Sequence, residues 1–232
     1  MSNLKTIIEQ QNLCRSNNPR GTDKLRPHSY IEGFYEQAFE KLKSKPVRLL
    51  EVGFRHGASL ALWSTYFSDG QIVGVDNHSD LNLTDDLPMN KSWIERPNVK
   101  IVFGDAYSRE FAAQLEGKFD ILIDDGPHSL SSQISFIKLY ADKLATGGIA
   151  VIEDLTKFGG LLIWPLMLTT PLRYEVQFYD FRRRSGLSDD LIFTVRNSGK
   201  NQILSRLKLS ALGIYYLLVD PLRILVKKLS LM

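Results

Sequence analysis

The chain has 232 residues, 44% hydrophobic and 24% charged, which is the balance of a soluble globular protein and suits one α/β domain with additions better than two domains. The net charge of +3 is too small to argue for a nucleic-acid partner, and none is expected. A single cysteine, Cys14, excludes an internal disulfide, and no Cys/His spacing suits structural zinc.

Residues 1–20 are polar and are read as opening in a short helix. They hold no apolar run of signal-peptide length, so a cytoplasmic location is expected. A turn-like segment, GTDKLRPHSY, follows. Ile31, Phe34, Tyr35, Ala38, Phe39 and Leu42 then recur at helical spacing until Pro46. From there strands and helices alternate. VRLLEVG, QIVGVD, NVKIVFGD, KFDILIDD and IAVIEDL read as strands. GASLALWSTYF, SREFAAQLEG and LSSQISFIKLYADKLATGG read as helices, the last stopped by Gly147 and Gly148. Helices of that length between strands predict a mainly parallel sheet covered on both faces. RYEVQFYDFR and DDLIFTVRN predict an antiparallel hairpin closing one edge, for seven strands in all.

Ligands of such a sheet sit at the carboxyl ends of its strands, near the switch in strand order. The first strand ends in Glu51-Val52-Gly53, and Gly57 and Ser59 open the next helix. Asp76 closes the second strand, Asp105 the third and Asp124 the fourth. An acid at the end of the second strand accepts hydrogen bonds from both hydroxyls of a ribose, and Asp105 is placed to accept from an adenine amino group. A dinucleotide needs G-x-G-x-x-G, but Gly53-Phe54-Arg55-His56-Gly57 lacks the middle glycine. Glu51 also disfavours a pyrophosphate and suits a sulfonium. Glu51, Gly53, Gly57, Ser59, Asp76, Asp105 and Asp124 are therefore the candidate residues for S-adenosylmethionine.

A second constellation is DDGPH at the end of the fourth strand and Glu153-Asp154 at the end of the fifth. Asp125, Glu153 and Asp154 converge if those strands are neighbours. Carboxylates so crowded need a cation, and hard oxygen ligands suit Mg²⁺ or a similar divalent ion. His128, at the same mouth, is the candidate general base.

GTDK, HSY, LLEVGFRHGASL, IVGVD, FGDAYS, DDGPH and IEDL, in that order over about residues 20–157, resemble the metal-dependent sugar O-methyltransferases of macrolide biosynthesis, the macrocin and mycinamicin type. The resemblance implies a class I, Rossmann-like methyltransferase fold, metal ligation by Asp125, Glu153 and Asp154, a base at His128, and a sugar hydroxyl as acceptor. It also inclines Thr22, Asp23, His28 and Tyr30 toward a lid over the site rather than a helix cap. The family usually has serine where Pro127 stands, and its acceptor pocket does not carry over. A glycan or glycolipid sugar fits as well as a natural product.

Residues 201–232 carry Arg206, Lys208, Arg223, Lys227 and Lys228 against Asp220. Their apolar face suits either an interfacial helix on anionic lipid or a helix docked on the core or on a second copy. The expected organisation is an N-terminal helical and lid segment (1–45), a methyltransferase domain (46–198) and a basic amphipathic tail (199–232). The rival functions are a nicotinamide oxidoreductase, a metal-dependent catechol-type O-methyltransferase and a non-catalytic module that binds S-adenosylmethionine.

Overall fold

The computed structural model describes residues 3–77, 91–155, 159–199 and 202–229. Seven strands, Arg48–Val52 (β1), Gln71–Asp76 (β2), Val99–Phe103 (β3), Phe119–Asp124 (β4), Leu144–Ile152 (β5), Glu175–Asp180 (β6) and Leu191–Arg196 (β7), form one sheet. The order is β3-β2-β1-β4-β5-β7-β6. β1 to β5 pair in parallel, and β7 runs antiparallel to both its neighbours. The chain starts in the middle and builds outward in both directions, so the order switches between β1 and β4. Loops there diverge to opposite faces and leave a crevice. This is the class I, Rossmann-like arrangement.

Among the described residues the α-helices include Leu4–Gln10 (α1), Glu36–Phe39 (α2), Ala58–Tyr66 (α3), Arg109–Gln114 (α4), Leu130–Tyr140 (α5), Gly159–Thr169 (α6), Arg182–Ser185 (α7) and Ile203–Leu229 (α8). The side chains of Ser108 and Ser129 cap α4 and α5 by accepting from Phe111 N and Ser132 N, which satisfies a backbone donor otherwise left open at each helix start.

Side chains alternate across the sheet with the period of two that a strand imposes. Leu49, Ile121, Ile123, Ile149 and Val151 face one buried cluster with Tyr35, Phe39, Trp63 and Phe67. Leu50, Val52, Leu122, Ala150 and Ile152 face the other, with Phe136, Tyr140, Ile163 and Leu166. Residues 4–39 contribute Leu4, Ile7, Ile8, Phe34, Tyr35 and Phe39 to the first cluster. The N-terminal segment is thus a wall of the core, and it covers α3, which is buried on nearly every side.

Two expectations are corrected. The helix after DDGPH ends at Lys143 after one 3-10 turn, not at Gly147 and Gly148. Leu144 already pairs with Phe119, and Gly147 (φ 80°) turns the chain before pairing resumes at Ile149. Residues 156–172, to which the sequence assigns no element, contain α6 with Pro165 inside it. For the tail, one side of α8 takes the docked placement that the sequence left open: Leu209 and Tyr216 are buried in the second cluster. Arg206 donates to the carbonyls of Met167, Thr170 and Pro171 at 2.7–2.8 Å, closing the open C-terminal turn of α6. Most of the loop 77–98 lies outside the described residues.

Candidate active site

The carboxyl ends of the parallel strands open on a cavity of about 740 Å³. Of the residues singled out in the sequence, Gly53, Ser59, Asp76, Asp105, Asp125, His128 and Asp154 line it, together with Thr22 and Asp23 of the N-terminal segment. Gly53 is held at φ 85°, and a Cβ there would stand 2.1 Å from the carbonyl oxygen of Asp125. Only glycine permits that turn between the ends of β1 and β4. Asp76 Oδ2 accepts from the backbone N–H of Arg55 at 2.9 Å and so fixes the glycine turn. Asp105 Oδ1 accepts from Tyr107 N at 2.9 Å, ordering its own loop.

Glu51, Gly57 and Asp124 stand behind this lining, not in it. Glu51 is fully buried, and its Oε2 accepts from the Ser59 hydroxyl at 2.7 Å. The reason is strand parity: residue 51 falls on the face of Leu49, under the N-terminal segment. Asp124 is likewise buried and accepts from the Tyr107 hydroxyl at 2.5 Å. Gly57 is at φ 87°, and a Cβ there would meet the Ile94 side chain at 2.4 Å.

The sequence reading passed over Lys24. Its ammonium is buried and donates to Asp125 Oδ2 and to Glu153 Oε2, both at 2.6 Å, and lies 3.5 Å from Glu51 Oε1. Burial opposes its charge, yet the fields of Asp125, Glu153 and Glu51 hold its pKa well above the ordinary lysine range. The other oxygen of Glu153 accepts from the Tyr35 hydroxyl. Both Glu153 oxygens are therefore taken, and the carboxylate stands apart from the group formed by Asp125 and Asp154. Parity carries Glu153 along the face of Ile149 and Val151, where Lys24 and Tyr35 bond it, while Asp154 turns to the cavity.

In place of Glu153, His128 joins the other two. One ligand atom each of Asp125, His128 and Asp154 lies within 4.8 Å of the others, and all three residues are partly exposed. His128 Nε2 is 3.8 Å from Asp125 Oδ1 and 3.6 Å from Asp154 Oδ2. Two of the three are strained: His128 is at φ 55° and Asp154 at φ 52°. Arg55 of the glycine turn is at φ 47°. A non-glycine residue at such angles costs about 1–3 kcal/mol and persists where the surroundings over-determine it, as at functional sites.

Negative charge here exceeds what the protein supplies in compensation. Burial raises the carboxyls of Asp125 and Glu153 to about 7 and those of Asp124 and Asp154 to about 6, against the opposing pull of Lys24, Tyr107 and the histidines. The N-terminal segment contributes two more contacts. Tyr30 donates to Asp154 Oδ1 at 2.5 Å. His28 Nδ1 lies 3.3 Å from Asp190 Oδ1. Burial opposes the imidazolium of His28, but the Asp190 bond and the Asp154 field raise its pKa to about 9. Among the expected lid residues, His28 and Tyr30 thus reach the acids. Thr22 and Asp23 line the cavity, and Asp23 is paired with Arg15 at 2.8 Å.

A family model described as a methyltransferase domain matches residues 50–155, the stretch that carries the glycine turn, the acids at successive strand ends and the carboxylate–histidine corner. That match takes in 106 of the 232 residues, a little under half of the chain. The chain is 33% identical over 132 residues to mycinamicin VI 2''-O-methyltransferase of Micromonospora griseorubida, a match covering 52% of this chain and 30% of that protein. It is 34% identical over 133 residues to demethylmacrocin O-methyltransferase of Streptomyces fradiae, with 52% and 30% covered. A tetracenomycin-C rhamnosyl 3'-O-methyltransferase of Streptomyces olivaceus is 32% identical, with 58% and 34% covered. The match thus spans about a third of each of these relatives. Among solved structures, the MycE methyltransferase of the mycinamycin pathway, determined with Mg and SAH, superposes with a TM-score of 0.56 at 21% identity, over 84% of this chain and 54% of that one. These curated relatives are sugar O-methyltransferases.

Lys24 and Tyr35 were missed because neither residue type marks a site by itself. The one available signal was GTDK, whose lysine sits beside the residues read as a lid.

Proposed function

We propose that the chain is an S-adenosylmethionine-dependent O-methyltransferase that uses Mg²⁺ or a similar divalent ion and methylates a sugar hydroxyl. The observation that carries this is the gathering of Asp125, His128 and Asp154 within 4.8 Å on the wall of the cavity that Gly53 and Asp76 also line. The curated sugar O-methyltransferase relatives support the acceptor class. In this reading Gly53, Ser59, Asp76 and Asp105 hold the cofactor. Glu51, Gly57 and Asp124 shape its seat from behind. Asp125 and Asp154 hold the ion: their donors are hard oxygens on a partly exposed corner, and their raised carboxyls mark charge that a cation relieves. A bound divalent ion supplies a grip on neighbouring acceptor oxygens and lowers a hydroxyl's proton affinity. His128 takes the hydroxyl proton as the oxygen bonds to the methyl carbon and the carbon–sulfur bond breaks. Thr22, Asp23, His28 and Tyr30 form a wall of the site, within the division into segments 1–45, 46–198 and 199–232.

The test is transfer of radiolabelled methyl from S-adenosylmethionine to a panel of glycosides with vicinal hydroxyls, alongside catechols. Labelled glycoside is expected. Labelled catechol alone would move the acceptor class, and binding of a nicotinamide dinucleotide in preference to S-adenosylmethionine would end the reading.

We further infer that α8 rests on an anionic membrane surface. No helix among the described residues is long and apolar enough to cross a membrane. One side of α8 docks on the core, but Leu204 and Leu207 are over 60% exposed, and Ile214, Tyr215 and Leu218 are also exposed. Lys208, Arg223, Lys227 and Lys228 add positive charge along the same sequence. Sedimentation with phosphatidylglycerol vesicles is expected to retain the chain and to lose most of it when Leu207 and Leu218 are both changed to Glu. Equal retention would refute a lipid surface, and loss of a dimer in its place would assign the stripe to a second copy.

A further inference from the structure

Carboxylates from the ends of three adjacent strands converge on Lys24: Glu51 from β1, Asp125 just past β4 and Glu153 just past β5. Its side chain is 0% exposed, and lysine is almost never so buried unless paired. Its backbone is anchored as well, since Lys24 O accepts from Ile31 N at 3.0 Å. The N-terminal segment therefore delivers a fixed positive charge to the acids.

Asp125 serves two places at once. Its Oδ2 is bonded to Lys24 at 2.6 Å, while its Oδ1 faces His128 at 3.8 Å in the corner shared with Asp154. An ammonium and a divalent ion seek the same hard oxygens, at about 2.7–2.9 Å for the one and about 2.0–2.1 Å for Mg²⁺. Two cations on one carboxylate repel each other, and the lysine is also bonded at 2.6 Å to Glu153, next to Asp154 in sequence.

We propose that Lys24 is a positioning residue that competes with the divalent cation: it holds Glu153 out of the ion's coordination and weakens the ion's grip on Asp125. This rests on the divalent-ion reading above. Because binding couplings are reciprocal, the ion in turn loosens the seat of the segment around Lys24, so metal loading and closure of this wall of the cavity are linked.

The test is Mn²⁺ titration of the full chain, followed by the electron-paramagnetic signal of free Mn²⁺, which needs no turnover. Lys24→Met is expected to tighten Mn²⁺ binding at least fivefold, whereas a merely structural lysine would weaken it when lost. Glu153→Gln alone is expected to change affinity less than tenfold, and in the Lys24→Met background to remove most of the gain. A smaller gain or a loss in a folded Lys24→Met, or a loss of tenfold or more from Glu153→Gln alone, would overturn the proposal. If Lys24→Met does not fold, Glu153→Gln decides on the same threshold. Failure of the unaltered chain to bind Mn²⁺ would remove the metal reading itself, and this proposal with it.

Discussion

Chelation with EDTA is expected to abolish methyl transfer, with Mg²⁺ restoring it, and to leave a protein that loses stability as pH rises. The carboxyls of Asp124, Asp125, Glu153 and Asp154 are pushed up to about 6–7, first of all by burial. A carboxyl with a raised folded-state pKa binds its proton more tightly folded than unfolded. Its contribution to stability is full below its unfolded pKa of about 4 and is lost as pH rises through 6–7. The chelated protein should therefore melt lower at pH 8 than at pH 5.5 on account of these groups. Mg²⁺ should raise the melting temperature more at pH 8, where it meets ionised ligands, than at pH 5.5, where it must displace protons. Turnover that survives EDTA would take Asp125 and Asp154 out of the mechanism. An Mg²⁺ effect equal at both pH values would mean the ion binds elsewhere.

His128→Ala is expected to lower kcat by about 10²–10⁴, the usual worth of a general base, with the affinity for S-adenosylmethionine changed little. The ring is 35% exposed, and its Nε2 lies beyond hydrogen-bond distance of both Asp125 and Asp154. It is free to meet an acceptor hydroxyl, and the left-handed backbone at residue 128 aims it at the cavity ahead of α5, whose cap is the next residue, Ser129. Because His128 also stands within ligand distance of the acid corner, Mn²⁺ affinity separates the roles. A base leaves it nearly unchanged. A drop in Mn²⁺ affinity parallel to the loss of kcat would make His128 a ligand instead.

The alternation of strands and helices was legible because its signals are local: apolar runs of strand length, glycines at their ends, serines ahead of α4 and α5. The antiparallel hairpin was legible for the same reason. α6 was not. GGLLIWPLMLT has no charged residue to mark an outer face, so it shows no period. It is helical because α5 and α8 pack against it, and α8 lies some forty residues further on. Gly147 misled because a positive-φ glycine ends a helix and turns a strand equally well.

The glycine turn and the acids at successive strand ends, read from one stretch of chain each, were enough by themselves to point to a doubly wound sheet with a nucleoside-type ligand and a divalent ion at one mouth. Residues in a strand order themselves along the chain, and the motif sits where the strand stops. Which carboxylates share a cation is a different matter. Strand parity sends Glu51 and Glu153 under the N-terminal wall, the break after β5 turns Asp154 to the cavity, and Lys24, 129 residues from Glu153 in sequence, arrives to meet the first group. Only the tertiary structure decided that, because the field at each acid is the sum over charges that the chain brings together by folding and that no local spacing records.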